Sequence, residues 1–281
     1  MLRRILFTIG LVVVLLTNAS AGLAKNPSPD QPKNPALAEH VPGEILIRFS
    51  PGVNSAQAVD HMSDMGVTHK REISAIGVHL VKLPPGLSVE KAMDLFSRRP
   101  GVEFVEPNYI LQIQAPTAVV VDELEQWALE KIEAPLAWDE FGTDPNEPLL
   151  AIVDTGITTD HPDLANNMWE NPAETGLDAQ EADKRFNGLD DDGNGYIDDW
   201  QGWDFVNNDN EPLDDNMHGT AVSSVAAAEE NGIGVVGVCP WCQLVGVKVL
   251  DSTGSGDLAI VATGIIYACL LYTSPSPRDR S

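Results

Sequence analysis

One apolar run of the sequence ends directly on a carboxylate, and this feature constrains the fold more than any other. Leu149-Leu150-Ala151-Ile152-Val153 precedes Asp154, which is followed by Thr155 and Gly156. An unbroken apolar run is typical of a parallel strand that is buried on both faces. In open α/β sheets, ligands and catalytic groups gather at the carboxyl ends of the strands. The run therefore predicts a parallel α/β sheet with Asp154 at its functional edge.

His218 begins a second segment that belongs to the same sheet. A helix is predicted from His218 to about Asn231, followed by a buried strand at residues 243–250. Such a strand-helix-strand unit brings Asp154 and His218 to one edge of the sheet. A helix N-terminus favours the neutral imidazole, and a carboxylate at one ring nitrogen orients it. The two residues are therefore candidates for a general base and its orienting acid.

The first 42 residues are predicted to lie outside the folded part of the chain. The basic residues Arg3 and Arg4 and the apolar run 5–16, which is too short to span a bilayer, indicate a signal peptide at residues 1–24. A retained membrane anchor is the alternative. Residues 25–42 are rich in proline and are predicted to form a linker. The protein is accordingly expected to be secreted to the extracellular space.

Residues 43–113 have the pattern of a small α+β domain. The predicted elements are a strand at 45–49, a helix at 55–65, a strand at 77–83, a helix capped by Ser88 that runs to about residue 98, and a strand at 102–105. This order is the split βαβ pattern, which carries no function by itself.

The charge of the chain changes sharply after this domain. The formal net charge is -25; residues 1–113 hold 11 basic and 10 acidic side chains, and residues 114–281 hold 6 and 32. Such a change marks a candidate domain boundary. The strongly acidic balance excludes a nucleic-acid surface.

The acidic side chains are densest between Asp154 and His218. Residues 178–215 contain 13 Asp and Glu, with glycines that allow sharp turns. Five residues at alternating positions are candidate oxygen ligands of Ca²⁺: Asp190, Asp192, Asn194, Tyr196 through its carbonyl, and Asp198; Asp199 is a weaker candidate. An EF-hand is not expected, because Gln201 stands where its bidentate Glu belongs. A solvated acidic loop without a metal is the alternative.

Four motifs in order resemble the subtilisin-like serine proteases. They are Ala151-Ile152-Val153-Asp154-Thr155-Gly156, His161-Pro162-Asp163-Leu164, His218-Gly219-Thr220 and Lys248-Val249-Leu250-Asp251. The upstream half, which ends in Val102-Glu103-Phe104-Val105-Glu106-Pro107-Asn108-Tyr109, resembles the inhibitory I9-type propeptide of that family. The resemblance implies a ferredoxin-like α+β propeptide at 43–113, a processing linker at 114–126, and an incomplete α/β subtilisin-like domain at 127–268 with a parallel sheet and helices on both faces.

The resemblance also implies roles for individual residues. Asp154 is the orienting acid and His218 the general base of an Asp-His-Ser triad. Ser255 and Gly256 offer backbone groups that pair with an extended substrate. The propeptide acts as an intramolecular inhibitor until self-cleavage between residues 114 and 122. The expected partners are protein and peptide substrates, with no stable insertion into a membrane, and related exported enzymes bind calcium in the acidic insertion.

The triad is incomplete within the sequence. It contains no Gly-Thr-Ser segment for the nucleophile, and the oxyanion Asn of the family is missing as well. Ser223 and Ser224 lie one turn beyond His218 and are assigned to packing. Residues 269–281 have no counterpart in the family pattern and suggest a foreign tail on a truncated chain. The 281-residue chain is therefore expected to be inactive.

Three further interpretations remain open. Cys239 and Cys242 form a C-x-x-C, for which a local disulfide is favoured over a redox pair in an exported protein. Asp154-Thr155-Gly156 also matches aspartic proteases, which need two such carboxylates, whereas the chain contains one Asp-Thr-Gly. The third possibility is a protease-like module that binds peptides without cleaving them.

Overall fold

The computed structural model describes residues 38–113, 126–141 and 148–273. Within them the chain forms two compact units. The first unit comprises residues 38–113 and 255–266, and the second comprises 126–141, 148–254 and 267–273. The signal peptide predicted at residues 1–24 lies outside the described residues, as does nearly all of the processing linker.

The secondary structure alternates between strands and helices over most of its length. In chain order the elements are β1 (His40–Phe49), α1 (Ser55–Asp64), β2 (Thr68–Ile73), β3 (Val78–Lys82), α2 (Val89–Phe96), β4 (Val102–Gln112), α3 (Trp127–Lys131), α4 (Ala134–Phe141), β5 (Leu149–Asp154), β6 (Gly202–Asp204), α5 (His218–Ala227), β7 (Gln243–Lys248), β8 (Ser255–Asp257) and α6 (Leu258–Thr273). In the described part, no helix is long and apolar enough to cross a membrane.

The first unit is built on an antiparallel sheet with strand order β2-β3-β1-β4-β8. Side chains alternate across β1, so Ile45 and Ile47 face one side and Leu46 the other. Ile45 and Ile47 belong to a core cluster with residues of α1 and α2, including Phe96. Leu46 belongs to a second cluster with Ala259 of α6. The sheet therefore has a buried core on each face.

Helix boundaries in this unit agree with the capping signals, but two strands are longer than the sequence predicted. Ser88 accepts a hydrogen bond from the Lys91 N–H and caps α2, as expected. Strand β4 continues to Gln112 because its last three residues pair with β8. Strand β1 begins at His40, within the predicted linker, because His40 pairs with Tyr109.

His79 is a buried titratable side chain in the first unit. Its side chain lies on β3, where its ring contacts Phe49 and faces His69. Burial lowers the pKa of His79 from 6.5; Glu72 opposes this shift and His69 adds to it. The unfolded chain therefore binds a proton more readily than the folded chain. The stability that neutral His79 contributes is complete above the unfolded pKa and is lost as the pH falls towards the lowered folded pKa.

We expect the urea concentration at the unfolding midpoint of the first unit to decrease as the pH is lowered from about 7.5 to about 5. His79→Gln should remove most of this decrease. The measurement is urea denaturation followed by hydrogen exchange at the amides of β1 and β3. His40→Gln, in the same unit, is the control and should retain the full pH dependence. An equal pH dependence in His79→Gln and the parent protein would contradict the assignment.

The second unit contains a parallel sheet with strand order β5-β7-β6. The register pairs Asp154 with Lys248 and Lys248 with Asp204, so three charged residues form one row at the carboxyl ends of the strands. Helix α5 begins at His218 as predicted, but it ends at Ala227 and not near Asn231. The chain becomes extended at Ala228, whose carbonyl accepts the Gly237 N–H.

Candidate active site

The centre of the site is a hydrogen-bonded pair at the carboxyl edge of the parallel sheet. Asp154 is the last residue of β5 and His218 is the first residue of α5. His218 Nδ1 donates to the Asp154 carboxylate, at 2.8 Å from Oδ1 and 2.9 Å from Oδ2. Both side chains are largely buried, with 13% and 5% of their surfaces exposed. With Nδ1 as the donor, Nε2 remains as the acceptor, which is the arrangement of a general base.

Thr155 connects the acid to the helix that carries the base. Its N–H donates to Asp154 Oδ1 at 2.7 Å. Its Oγ1 accepts the Gly219 N–H at 2.9 Å and donates to Asp214 Oδ1 at 2.8 Å. Thr155 itself is fully buried. One side chain therefore fixes the first turn of α5 against the end of β5.

Gly219 explains how closely this helix approaches the strand end. A Cβ at Gly219 would lie 2.1 Å from the carbonyl oxygen of Gly156. Gly156 has a φ of +108°, and a Cβ there would meet the Pro212 carbonyl at 2.6 Å. Because backbone atoms on both sides fill this space, only glycine fits at either position. The glycines of the Thr155-Gly156 and His218-Gly219 motifs therefore have a packing role beside the hydrogen-bonded pair of Asp154 and His218, which is called the dyad below.

The Asp214 carboxylate lies just before α5 and accepts five hydrogen bonds. The donors are Thr155 Oγ1, the N–H groups of Asn216, Met217 and Thr220, and Thr220 Oγ1. Burial opposes ionisation of this carboxyl, but the hydrogen bonds from Thr220, Asn216 and Thr155 outweigh it and lower the pKa of Asp214 below 3.8. Asp214 is therefore held as an anion.

Lys248 provides a buried positive charge behind this loop. Its side chain is 1% exposed, and Nζ donates to Asp215 Oδ1 at 2.6 Å, to the Thr155 carbonyl at 2.6 Å and to the Leu250 carbonyl at 3.1 Å. Asp215 is half exposed. The ammonium group thus joins the ends of β5 and β7 to the loop that precedes His218.

A cluster of three carboxylates lies in the acidic segment of the second unit. Ligand oxygens of Glu174, Asp192 and Asp199 all lie within 4.8 Å of one another. Glu174 and Asp199 are fully buried, and Glu174 Oε2 has no hydrogen-bond partner within the described part of the chain. Burial raises the pKa of Glu174 and that of Asp199 each to about 7. A cation fits this site, because it would neutralise the buried charges and bind the unpaired oxygen.

The predicted ligands of the acidic loop are only partly gathered in this cluster. Among the five predicted ligands, Asp192 belongs to the carboxylate cluster. The weaker candidate Asp199 belongs to it as well. The Asp190 carboxylate accepts the N–H groups of Gly193, Asn194 and Gly195, and the Asp198 carboxylate accepts the Gly188 N–H. Asn194 donates through Nδ2 to Asp192 and Asp199, and its Oδ1 accepts the Tyr196 N–H. These residues shape the loop around the cluster.

Other predicted residues occupy supporting positions. Ser223 and Ser224 donate to the carbonyls of Gly219 and Thr220, one turn earlier in α5. Cys239 and Cys242 form a disulfide. In the first unit, Ser255 and Gly256 lie on β8, where they pair with Gln112 and Leu111 of β4.

Sequence reasoning missed several residues of the site: Thr155 as a side-chain partner, Glu174, Asp214, Asp215 and Lys248. Asp214 lies four residues before His218, where a carboxylate can cap the start of a helix, and this spacing is a usable signal. Nothing in the sequence near Glu174 connects it to Asp192, because the contact spans 18 residues of irregular chain. The isolated lysine in an apolar strand, Lys248, is the second usable signal.

Comparison with known families assigns both halves of the chain. Residues 146–279 match the Subtilase family, Peptidase_S8, and residues 26–108 match the Fervidolysin N-terminal prodomain. The prodomain match confirms the expected N-terminal propeptide and describes it as fervidolysin-like. The subtilase match extends to residue 279 and helix α6 extends to Thr273, so both continue past residue 268.

Individual relatives are similar over most of the chain. A thermophilic serine proteinase from Bacillus sp. (strain AK1) is 29% identical over 231 residues, which are 82% of this chain and 49% of that protein. A thermostable alkaline protease from Halalkalibacterium halodurans is 32% identical over 236 residues, 84% of this chain and 51% of that protein. The chain thus spans about half the length of these curated relatives. The crystal structure of the S393A mutant of the epidermin leader peptide processing serine protease from Staphylococcus aureus has a TM-score of 0.52 at 18% identity and shares the fold. The match covers 82% of this chain and 48% of that structure.

Proposed function

Because the chain belongs to the subtilase family and carries a fervidolysin-like prodomain, we propose that it is the N-terminal portion of a secreted serine endopeptidase zymogen. The observation that carries this proposal is the hydrogen bond from His218 Nδ1 to Asp154, which leaves Nε2 as the acceptor. In an Asp-His-Ser mechanism, Nε2 takes the proton of the serine hydroxyl as the hydroxyl attacks a peptide carbonyl. Asp154 holds the ring and stabilises the imidazolium that forms.

The nucleophile and the oxyanion donor are assigned to the remainder of the longer protein. The 281 residues contain no Gly-Thr-Ser segment, and the curated relatives are about twice as long as the aligned part. Ser223 and Ser224 are excluded as nucleophiles because both hydroxyls donate to carbonyls of their own helix. On this proposal, the 281-residue chain by itself does not cleave peptides.

The antiparallel unit is proposed to be an intramolecular inhibitor with a ferredoxin-like fold. Its supporting features are the strand order, the βαββαβ element order and the packing of α1 and α2 in one core cluster. The pairing of β4 with Ser255 and Gly256 is the backbone pairing that we propose for an extended substrate. We place the propeptide at residues 43–113 and its self-cleavage between residues 114 and 122, before a peptidase domain that begins near residue 127 and has helices on both faces of its sheet.

The test uses the enzyme expressed from the complete reading frame to which these residues belong. Its hydrolysis of a denatured protein substrate is measured. We expect neutral-pH cleavage that a serine-directed reagent blocks and an aspartic-protease inhibitor leaves unchanged. Inhibition only by the aspartic-protease inhibitor would support the Asp-Thr-Gly alternative. Peptide binding without any cleavage would support a binding module and contradict the proposal.

We further propose that Glu174, Asp192 and Asp199 hold a structural Ca²⁺. The donors are carboxylate oxygens, which suit this hard cation. The supporting observation is the buried, unpartnered Oε2 of Glu174. The ion would neutralise charge in the acidic segment and take no part in the peptide cleavage.

We expect Ca²⁺ to raise the thermal unfolding midpoint, by the equivalent of about 2.7 kcal/mol at 100 times its Kd. Asp192→Asn should abolish this increment, because Asp192 belongs to the carboxylate cluster. Asp198→Asn is the matched control and should retain it, because that carboxylate binds the Gly188 N–H. Differential scanning calorimetry with Ca²⁺ and with a chelator measures both. Loss of the increment in Asp198→Asn alone would support the ligand set predicted from spacing.

A further inference from the structure

The first turn of α5 is capped from outside the helix. The first N–H groups of a helix have no partner within it and usually bond to the side chain of the N-cap residue. The N-cap residue here is Met217, which makes no such bond. Instead the Gly219 N–H donates to Thr155 Oγ1, and the Thr220 N–H donates to Asp214 Oδ2 at 2.8 Å.

The residue before His218 has an unfavourable backbone conformation. Met217 has a φ of +84°, in the left-handed region that side chains other than glycine rarely adopt, and its side chain is 80% exposed. Packing of the Met217 side chain therefore does not explain the conformation. Asp214 Oδ1 accepts the N–H groups of Asn216 at 3.0 Å and Met217 at 2.9 Å. The same carboxylate thus holds the backbone on both sides of His218.

We propose that Asp214 is a positioning residue for His218, acting through the backbone on both sides of the histidine and through Thr155. This inference rests on the proposed function, because positioning matters for a base that transfers a proton. Thr155 bonds both to Asp154 and to Asp214, so the acid, the base and the capping carboxylate form one connected network. Loss of Asp214 releases the turn, and His218 Nδ1 no longer faces Asp154 in a fixed orientation.

The network requires a carboxylate at this position. Every partner of Asp214 donates: three bonds reach Oδ1 and two reach Oδ2. An asparagine has one accepting oxygen, and its NH₂ group would face donors in either orientation of the amide. Asp214→Asn is therefore expected to disrupt the network despite its near-identical shape, and Asp214→Ala removes it.

The test compares Asp214→Ala, Asp214→Asn and the control Glu211→Gln in protein from the complete reading frame. Glu211 is an exposed carboxylate in the same loop. We expect kcat per folded molecule to fall about 10- to 100-fold in both Asp214 variants, with KM changed less than about twofold. Glu211→Gln should keep the parent kcat.

A second readout is independent of cleavage. In ¹⁵N-histidine NMR spectra, with the His218 signals assigned by their loss in His218→Ala, the parent protein should show protonated Nδ1 and unprotonated Nε2. The Asp214 variants should show a mixture of tautomers. A lower unfolding midpoint with unchanged kcat and an unchanged tautomer would overturn the proposal. A parent protein without peptidase activity would contradict the proposed function, while the tautomer would still decide whether Asp214 positions the ring.

Discussion

His218→Ala is expected to reduce kcat about 10⁶-fold in the complete protein, and Asp154→Ala about 10⁴-fold. These magnitudes are the values known for subtilisin, a member of the same family. The reduction in kcat is larger for His218→Ala because this substitution removes the group that takes the proton. Loss of Asp154 leaves the imidazole in place but without its orienting partner, since His218 Nδ1 donates to both carboxylate oxygens.

Steady-state kinetics on a peptide substrate, with each rate divided by the concentration of folded protein, measure this difference. His161→Ala is the control, because its ring accepts the Asp163 N–H and makes no hydrogen bond to Asp154 or His218 within the described part of the chain. It should keep kcat within about threefold. Activity that is lost in Asp154→Ala but retained in His218→Ala would contradict a serine mechanism and favour the aspartic alternative.

The second large effect is expected on stability, at the buried ammonium group of Lys248. Asp215→Ala should cost about 3 kcal/mol, because it removes the one carboxylate to which the 1% exposed ammonium group of Lys248 donates among the described residues. This is the low end of the range for breaking a buried pair, since Asp215 is half exposed. Lys248→Met should cost less, about 1–2 kcal/mol, because the buried partners that lose a donor are the neutral carbonyls of Thr155 and Leu250, whereas the half-exposed Asp215 can bond to water.

Urea denaturation of the single and double variants measures the coupling. The double variant should be about as stable as Lys248→Met alone, since Asp215 acts through the ammonium group. Asp215→Asn keeps the side-chain size, and its free energy of unfolding should lie between those of the parent protein and Asp215→Ala. A smaller loss in Asp215→Ala than in Lys248→Met would show that the ion pair is not the dominant interaction.

Local sequence patterns were sufficient to predict the dyad. Asp154 ends an apolar run and His218 begins a helix, and both signals lie within a few residues of the chain. The expected subtilase relationship is confirmed by the family match. The Ser88 cap of α2 was also predicted, because an N-cap and its partner lie three residues apart.

The features that the sequence did not reveal depend on contacts between distant residues. Strand β4 extends to Gln112 because its end pairs with Ser255, more than a hundred residues later. Glu174 joins Asp192 and Asp199 only through the folded loop. The alternating spacing of residues from Asp190 to Asp198 predicted that their oxygens converge on one cation. In the structure, backbone N–H groups instead donate hydrogen bonds to the Asp190 and Asp198 carboxylates.

The most direct test of the central claim is covalent labelling of the complete protein with a fluorophosphonate, followed by intact mass and peptide mapping. We predict that one serine is labelled, that it lies outside these 281 residues, and that labelling is lost in His218→Ala. This pattern would show that His218 activates a serine nucleophile. Labelling that is equally fast in His218→Ala, or no labelling of a protein that cleaves peptides, would contradict the account.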